Sequence, residues 1–250
     1  MSRAGGLRLA LTWLTVAPVP MRGTVDRRAA RRALAWAPLV GLVLGSLAVG
    51  VLGGLRLLGA APLLAGLLAV AALAGATRGM HLDGLADTAD GLGSYDRGRA
   101  LEVMRDGSAG PFAVVVLVLV LGVQSSALAV LTSTDRLGAV VLAVTTGRVA
   151  FAWCCRRGVP AARPEGMGAL VAGTQPRAVT AAWGVALLVA GLAVVPGRPW
   201  QGVVAVALAA AAVAALSRHA TRRFGGVTGD VLGAASELAT TVVVATCALG

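Results

Sequence analysis

The chain has 250 residues, of which 57% are hydrophobic and only 13% charged, and its mean hydropathy is +0.83. A soluble domain carries about a quarter charged residues, so composition excludes one and points to a protein built into a membrane. The formal net charge of +11 rests entirely on arginine. It does not require a nucleic-acid partner, because the distribution described below accounts for it.

The first 35 residues hold seven arginines around the apolar stretch "LRLALTWLTVAPVP". That stretch ends in Pro18 and Pro20 and is too short to cross a bilayer, which takes about 20 residues per helix. It reads as an interfacial or re-entrant segment. The end of "TVAPVP" lacks the small-residue cleavage site of a signal peptide. Seven long apolar stretches follow, at 36–56, 60–77, 111–132, 138–155, 178–196, 200–217 and 231–249. They are continuous runs rich in Ala, Val, Leu and Gly. Barrel strands would alternate in polarity, and backbone inside a bilayer must satisfy its own hydrogen bonds, so helices are expected. The small residues suit close helix packing. Cys154, Cys155 and Cys247 lie within these stretches and imply no disulfide framework.

The expected fold is therefore all-α: one integral membrane domain over 1–250, a polytopic bundle of about seven transmembrane helices plus the N-terminal segment 1–35. With the N-terminus in the cytoplasm, segments 1–35, 78–110, 156–177 and 218–230 fall on the inside and carry 18 of the 22 arginines. The outside loops carry only Arg56, Arg136 and Arg198, while Arg148 lies inside a stretch. This is the positive-inside pattern. It predicts a multi-pass membrane protein with its long polar loops in the cytoplasm; the resemblance given below implies the cell (inner) membrane. Membrane lipid is an expected partner and nucleic acid is not. The sequence is compatible with a homo-oligomer without specifying one.

The acids are distributed very differently. Six of the eleven Asp and Glu residues fall between 83 and 106, beginning with "HLDGLADTADG" at 81–91. On a helix, Asp83, Asp87 and Asp90 lie within about 60° of one another, with Leu82, Leu85, Ala86, Ala89 and Leu92 opposite. Like charges at this spacing repel, so the stripe calls for a cation. Mg2+ is typically held by one or two carboxylates together with substrate phosphates. Asp83 and Asp90 are about 10.5 Å apart along such a helix and cannot share one ion. Either two ions bind with Asp87 near both, or one ion uses an adjacent pair. The competing reading is a merely solvated acidic face. His81 falls well off the stripe; it is either a hydrogen-bonded structural histidine or a general base.

Further polar clusters fall on the same expected side. "EVMRDGSAGPF" (102–112) contains Arg105 and Asp106 and leads into Pro111, a good first helical residue. Segment 218–238 runs Arg218, Arg222 and Arg223 into a glycine-rich turn with Thr228. Asp230 and Glu237 then follow, seven apart on one face of the last helix. An acid at membrane depth is a functional candidate. Its expected partner is the catalytic metal, a bound water, or an arginine such as Arg222 or Arg223. "RPEGMGALVAG" (163–173), with Arg163 and Glu165, carries little signal alone. Carboxylates for Mg2+, arginines for phosphate and glycines for close approach together point to phosphoryl transfer, which needs mainly positioning and charge neutralisation.

"GMHLDGLADTADGLG" (79–93) closely resembles the central signature of the cobalamin synthases, the adenosylcobinamide-GDP ribazoletransferases. "TVAPVP", "RALAWAPLVGLVLG" (32–45), "EVMRDGSAGPFAVV" and "GGVTGDVLGAASEL" (225–238) resemble further family motifs in the same order. The resemblance implies a polytopic inner-membrane enzyme that needs Mg2+. Such enzymes join adenosylcobinamide-GDP to α-ribazole or its 5′-phosphate, release GMP, and form adenosylcobalamin or its 5′-phosphate. It also implies metal and pyrophosphate roles for Asp83, Asp87 and Asp90. Glu237 and His81 stand as further catalytic candidates. Arg105, Asp106, Arg222, Arg223, Thr228 and Asp230 stand as substrate-binding candidates. The sequence departs from the family where its second motif has Ser-Arg: Gly107 and Ser108 stand there instead, so Arg105 or Arg222 must supply any positive charge lost.

Two alternatives remain. The CDP-alcohol phosphotransferases share analogous chemistry, but their signature has Arg where Asp87 stands. A cation-coupled transporter would place acids deep in several spans and favour an inverted repeat; here the acids cluster in the segments expected outside the membrane.

Overall fold

The computed structural model describes residues 3–20 and 24–250. Positions 1–2 and 21–23 of the N-terminal segment lie outside the described residues. Eleven helices are described: α1 Arg3–Leu14, α2 Arg27–Leu57, α3 Pro62–Ala76, α4 Met80–Gly93, α5 Arg97–Asp106, α6 Pro111–Ser133, α7 Leu137–Cys154, α8 Gly166–Val171, α9 Arg177–Gly191, α10 Pro199–Phe224 and α11 Gly229–Ala248. Among the described residues there is no β-strand, only two isolated parallel bridges, Arg156 with Gln175 and Ala161 with Val227. The all-α membrane bundle is as the sequence predicts.

Local signals set the helix ends. Asp26 caps α2, its carboxylate accepting from the Ala29 amide at 2.7 Å, and proline opens α3, α6 and α10. Proline has no N–H to leave unsatisfied in the first turn. α7 is the central post: its residues are buried almost throughout, and it packs against α2, α9, α10 and α11. α2 approaches it closely because Gly41 and Gly45 face the backbone at Thr145 and Val141; a Cβ at either glycine would lie 2.8 Å from the facing Cα. The outer faces of α2, α3, α6 and α10 expose Val43, Leu64, Leu67, Val118, Leu119 and Leu208, an apolar belt suited to lipid.

The expected count of seven spans is not reached by length and composition. Five helices qualify: α2, α6, α7, α10 and α11. The pair α3 and α4 makes a sixth if it is counted as one broken span, bent by 92°. The bend arises where Arg78 and Gly79 both adopt left-handed backbone, at φ 56° and 66°. Two of the expected spans are helices of only 15 residues, α3 and α9. The stretch 178–196 falls short because its helix stops at Gly191.

The loops gather at two ends. At one, Arg56 pairs with Asp135, Arg136 donates to the carbonyls of Cys247 and Leu249, and Gln201 donates to those of Thr246 and Leu249. At the other lie α4, α5, the 156–177 segment and the turn into α11, tied by Arg97 to the Ala162 carbonyl and Arg163 to the Leu101 carbonyl. The arginine-rich segments thus share one end of the molecule. α1 packs along α2 at that end, held by Arg78, which donates to the carbonyls of Thr12 and Trp13.

Candidate functional site

The acidic segment forms α4, which is not among the five long spans and packs against α6 and α11. Its apolar residues Leu85 and Ala86 are buried, Asp83 is exposed and Asp87 is half-buried. The amphipathic pattern therefore places the carboxylates as expected for the first two. Asp90 differs. It is only 9% exposed, and its two oxygens accept the amides of Gly110 at 2.6 Å and Ala113 at 3.0 Å. Gly110 is the N-cap of α6 and has no side chain of its own to offer. Asp90 supplies that cap from another helix, and its negative charge sits at the positive end of the α6 dipole.

Losing such a cap costs about 0.5–2 kcal/mol. Asp90→Ala is expected to lower the melting temperature of the purified protein and to reduce activity in step with the folded fraction. Loss of activity with unchanged melting would show that Asp90 acts in the chemistry instead.

Asp230 joins Asp83 and Asp87 from α11. Gly84 makes this possible: a Cβ there would lie 2.7 Å from the Asp230 carbonyl oxygen and 2.9 Å from its Cα. Thr228 caps α11, its hydroxyl accepting from the Val231 amide at 3.2 Å, and also bonds the Asp230 carboxylate. The result is a concentration of negative charge. Burial, then Asp83, Asp230 and Asp90, push the Asp87 carboxyl up to about 6, against the pull of Arg163.

Arg163, which carries little signal in the sequence, is brought to the cluster by the fold. It acts electrostatically on both Asp87 and Asp230. Its guanidinium donates to the Leu101 carbonyl at 2.6 Å, while its Nε is buried without a hydrogen-bond partner. It reaches the site because the loop around 160–162 runs beside the turn before α11: the Ala162 amide donates to the Val227 carbonyl at 3.1 Å and the Val227 amide to the Pro160 carbonyl at 3.0 Å. Pairing across more than 60 residues leaves no local sequence signal.

The other candidates are dispersed. Arg105 forms an exposed ion pair with Glu165 at 2.7 Å, and Asp106 accepts from the Ser108 hydroxyl at 2.8 Å. Arg223 donates to the carbonyls of Ser94 and Tyr95, bracing the turn after α4, while Arg222 is exposed beside it. His81 is on the far side of α4 from the carboxylates. It is buried, stacked on Phe151 with ring centroids 5.6 Å apart, and neither ring nitrogen has a hydrogen-bond partner. Of the two readings of His81, the hydrogen-bonded structural histidine is therefore not what the structure shows.

Glu237 does not meet Arg222, Arg223 or the carboxylate cluster. It accepts from the Gln124 side-chain amide of α6 at 2.9 Å, and that amide also donates to the Thr241 hydroxyl. Its charged neighbour is Arg148 of α7, which is fully buried and donates to the Ser236 hydroxyl at 3.0 Å. Arg148, Glu237, Gln124 and Thr240 line a small internal cavity. The two helical turns between Asp230 and Glu237 carry the latter away from the bundle end, toward partners the loop arginines cannot reach.

Among the described residues, no three His, Cys, Asp or Glu side chains converge as a metal centre. Asp83, Asp87 and Asp90 do not chelate one ion, because Asp90 is turned to the start of α6. The donor chemistry of the remaining set nevertheless fits Mg2+. Asp83 and Asp87 offer hard oxygens on adjacent turns, Asp230 offers another across the Gly84 contact, and Arg163 opposes only part of their charge. Mg2+ accepts two carboxylates and completes its shell with water and phosphate oxygens.

The sequence profile of the cobalamin-5-phosphate synthase family matches residues 6–248. The chain belongs to that family. It is 46% identical to an adenosylcobinamide-GDP ribazoletransferase of a Nocardioides species, over 93% of both chains. The enzyme of the same name from Frankia casuarinae is 41% identical over 92% of this chain and 90% of its own, and that of Corynebacterium efficiens 38% over 98% and 91%. No solved structure matches the chain. The resemblance read from residues 79–93 thus holds along the whole length, and the family's relatives are transferases.

Proposed function

We propose that this membrane enzyme transfers the phosphocobinamide part of adenosylcobinamide-GDP to α-ribazole or its 5′-phosphate, with release of GMP. The observation that carries the reading is the cluster of Asp83, Asp87 and Asp230 with Arg163, assembled at one end of the bundle from three separated segments. Family membership supports the reaction, and the cluster is the site proposed for it.

With α-ribazole, the 5′-hydroxyl oxygen forms a bond to the phosphorus that carries cobinamide. The bond from that phosphorus to the GMP oxygen breaks, and the hydroxyl proton is lost to a base. Asp83 and Asp87 would hold Mg2+, with Asp230 beside them. When bound, the ion supplies charge neutralisation and orientation for the pyrophosphate. Arg163 is fixed by its bond to Leu101 and faces the same space, so its guanidinium is placed to neutralise a phosphate oxygen. The decisive assay reconstitutes the purified protein with both substrates and follows GMP. Release that requires both substrates and Mg2+ supports the reading; release with either substrate alone defeats it.

The arginine-rich segments share one end of the molecule, so by the positive-inside rule that end is proposed to face the cytoplasm. Single cysteines in 78–110, 156–177 or 218–230, with Cys154, Cys155 and Cys247 replaced, are expected to resist an impermeant thiol reagent in intact cells. Labelling from outside would reverse the orientation.

A further inference from the structure

α2 carries two kinds of residue on one stripe. Arg28, Arg31, Arg32, Ala35 and Trp36 follow one another at the three- and four-residue spacing that shares a helix face. The charged residues come first, and Trp36 lies about 12 Å further along the axis than Arg28. Val179, Ala182 and Trp183 make a matching apolar stripe on α9. Both helices pack on α7, and Trp183 joins them by donating to the Ala35 carbonyl at 3.2 Å. Two recesses open where they face each other. One, of about 440 Å3, is lined by Arg28, Arg31 and Arg32 with Gln175 and Pro176. The other, of about 470 Å3, is lined by Trp36, Ala182 and Trp183. They share Arg32, Ala35 and Val179, so they form one groove, basic at one end and apolar at the other.

The positive-inside rule accounts for arginines at this end of the molecule but not for three of them in one recess. The first turns of a helix are its positive end, and Arg28 and Arg31 stand there. Among the described residues neither has a carboxylate partner, and no acid lines either recess. Asp26 is the nearest acid in sequence, and its carboxylate is taken by the Ala29 amide. Arg27, by contrast, is bound to the carbonyls of Ala169 and Ala172. The facing wall is fixed, because Gln175 is fully buried and donates to the Arg31 carbonyl at 2.9 Å.

An occupant that matches the whole groove is anionic at one end and aliphatic at the other. A free phosphate matches only the arginines and leaves the tryptophan-lined end empty. We propose that the groove binds an anionic phospholipid, its phosphodiester held by Arg28, Arg31 and Arg32 and one acyl chain lying along Trp36, Ala182 and Trp183. Guanidinium groups match phosphate oxygens in charge and geometry. Basic recesses between membrane helices suit such headgroups, and Trp is favoured at the level where headgroup meets chain. None of the lining residues belongs to the carboxylate cluster, so the site is separate from the transfer chemistry. The lipid would brace α9, a helix of only 15 residues, against α2.

The test titrates the full-length protein in neutral detergent with phosphatidylglycerol or phosphatidylcholine. It reads the lipid concentration that gives half the maximal rise in melting temperature. Phosphatidylglycerol is expected to act on the wild type at a concentration at least tenfold below phosphatidylcholine. Arg28→Gln with Arg31→Gln should raise the phosphatidylglycerol value at least tenfold. Arg8→Gln with Arg218→Gln removes the same charge from exposed positions outside the groove and should leave that value within twofold. Ala182 is exposed, so Ala182→Trp blocks the apolar end without entering the core, and it should weaken phosphatidylglycerol at least fivefold. Equal weakening by the two arginine pairs would reduce the effect to surface charge and overturn the site. Displacement of the lipid by millimolar inorganic phosphate, with Ala182→Trp silent, would make the recess a phosphate site and overturn the lipid assignment.

Discussion

Asp87→Asn is expected to reduce transfer by at least about 100-fold, the scale of removing one preorganised electrostatic contact to a developing charge, while leaving the protein at least as stable as the wild type. The two halves of this result have one cause. Asp87 is half-buried, with Asp83, Asp230 and Asp90 all acting on it as like charges and, among the described residues, Arg163 opposing them. The amide is nearly isosteric, relieves that repulsion and removes a charged oxygen from the site. A structural acid would behave in the opposite way, losing stability when neutralised and keeping turnover. Turnover would be followed as GMP release across a Mg2+ titration, with melting temperature measured on the same samples. Near-wild-type activity at low Mg2+ would remove Asp87 from the site. Arg163→Gln should weaken turnover in the same assay, since it strips a positive neighbour from the cluster.

The difference between Asp87 and Asp90 shows how far sequence reaches. Periodicity put Asp83, Asp87 and Asp90 on one face of a helix, and they are on one face. It could not show that the start of α6 would lie against the last of them. Gly110 and Pro111 leave that helix start without a side-chain cap of its own, a local hint that some distant acceptor must serve it. Arg163 was hidden for a related reason: its loop looks unremarkable until it runs beside Val227. The helical class and the grouping of arginine-rich segments were legible because hydropathy and charge are local properties. The span count was less so. Composition marks residues 60–77 and 178–196 as apolar, but the helices within them stop at Ala76 and Gly191 and reach only 15 residues. Backbone geometry at Arg78 and Gly79, and the turn after Gly191, decide those ends.

Glu237→Ala is expected to destabilise the protein by about 1–3 kcal/mol, the scale of leaving buried polar partners unsatisfied. The charge left behind is Arg148, which is fully buried in α7 and has Glu237 as the carboxylate acting on it. No direct ion-pair contact joins them. Glu237 is held through Gln124, and Arg148 through Ser236. The pair therefore fixes α6, α7 and α11 around a small cavity, and its balance is one of charge rather than of a single hydrogen bond. That distinguishes two substitutions. Glu237→Gln can keep a bond to Gln124 by turning its amide but cannot balance Arg148, so it should lose most of the same stability. Adding Arg148→Gln to Glu237→Gln removes both charges and should restore much of the loss. Thermal denaturation of the two single variants and the double variant measures the coupling directly. A catalytic Glu237 gives a different pattern: the single Gln variant folds normally and fails to turn over, and the second change rescues nothing. Additive losses in the double variant would show that Arg148 and Glu237 are independent, and the pairing would fall.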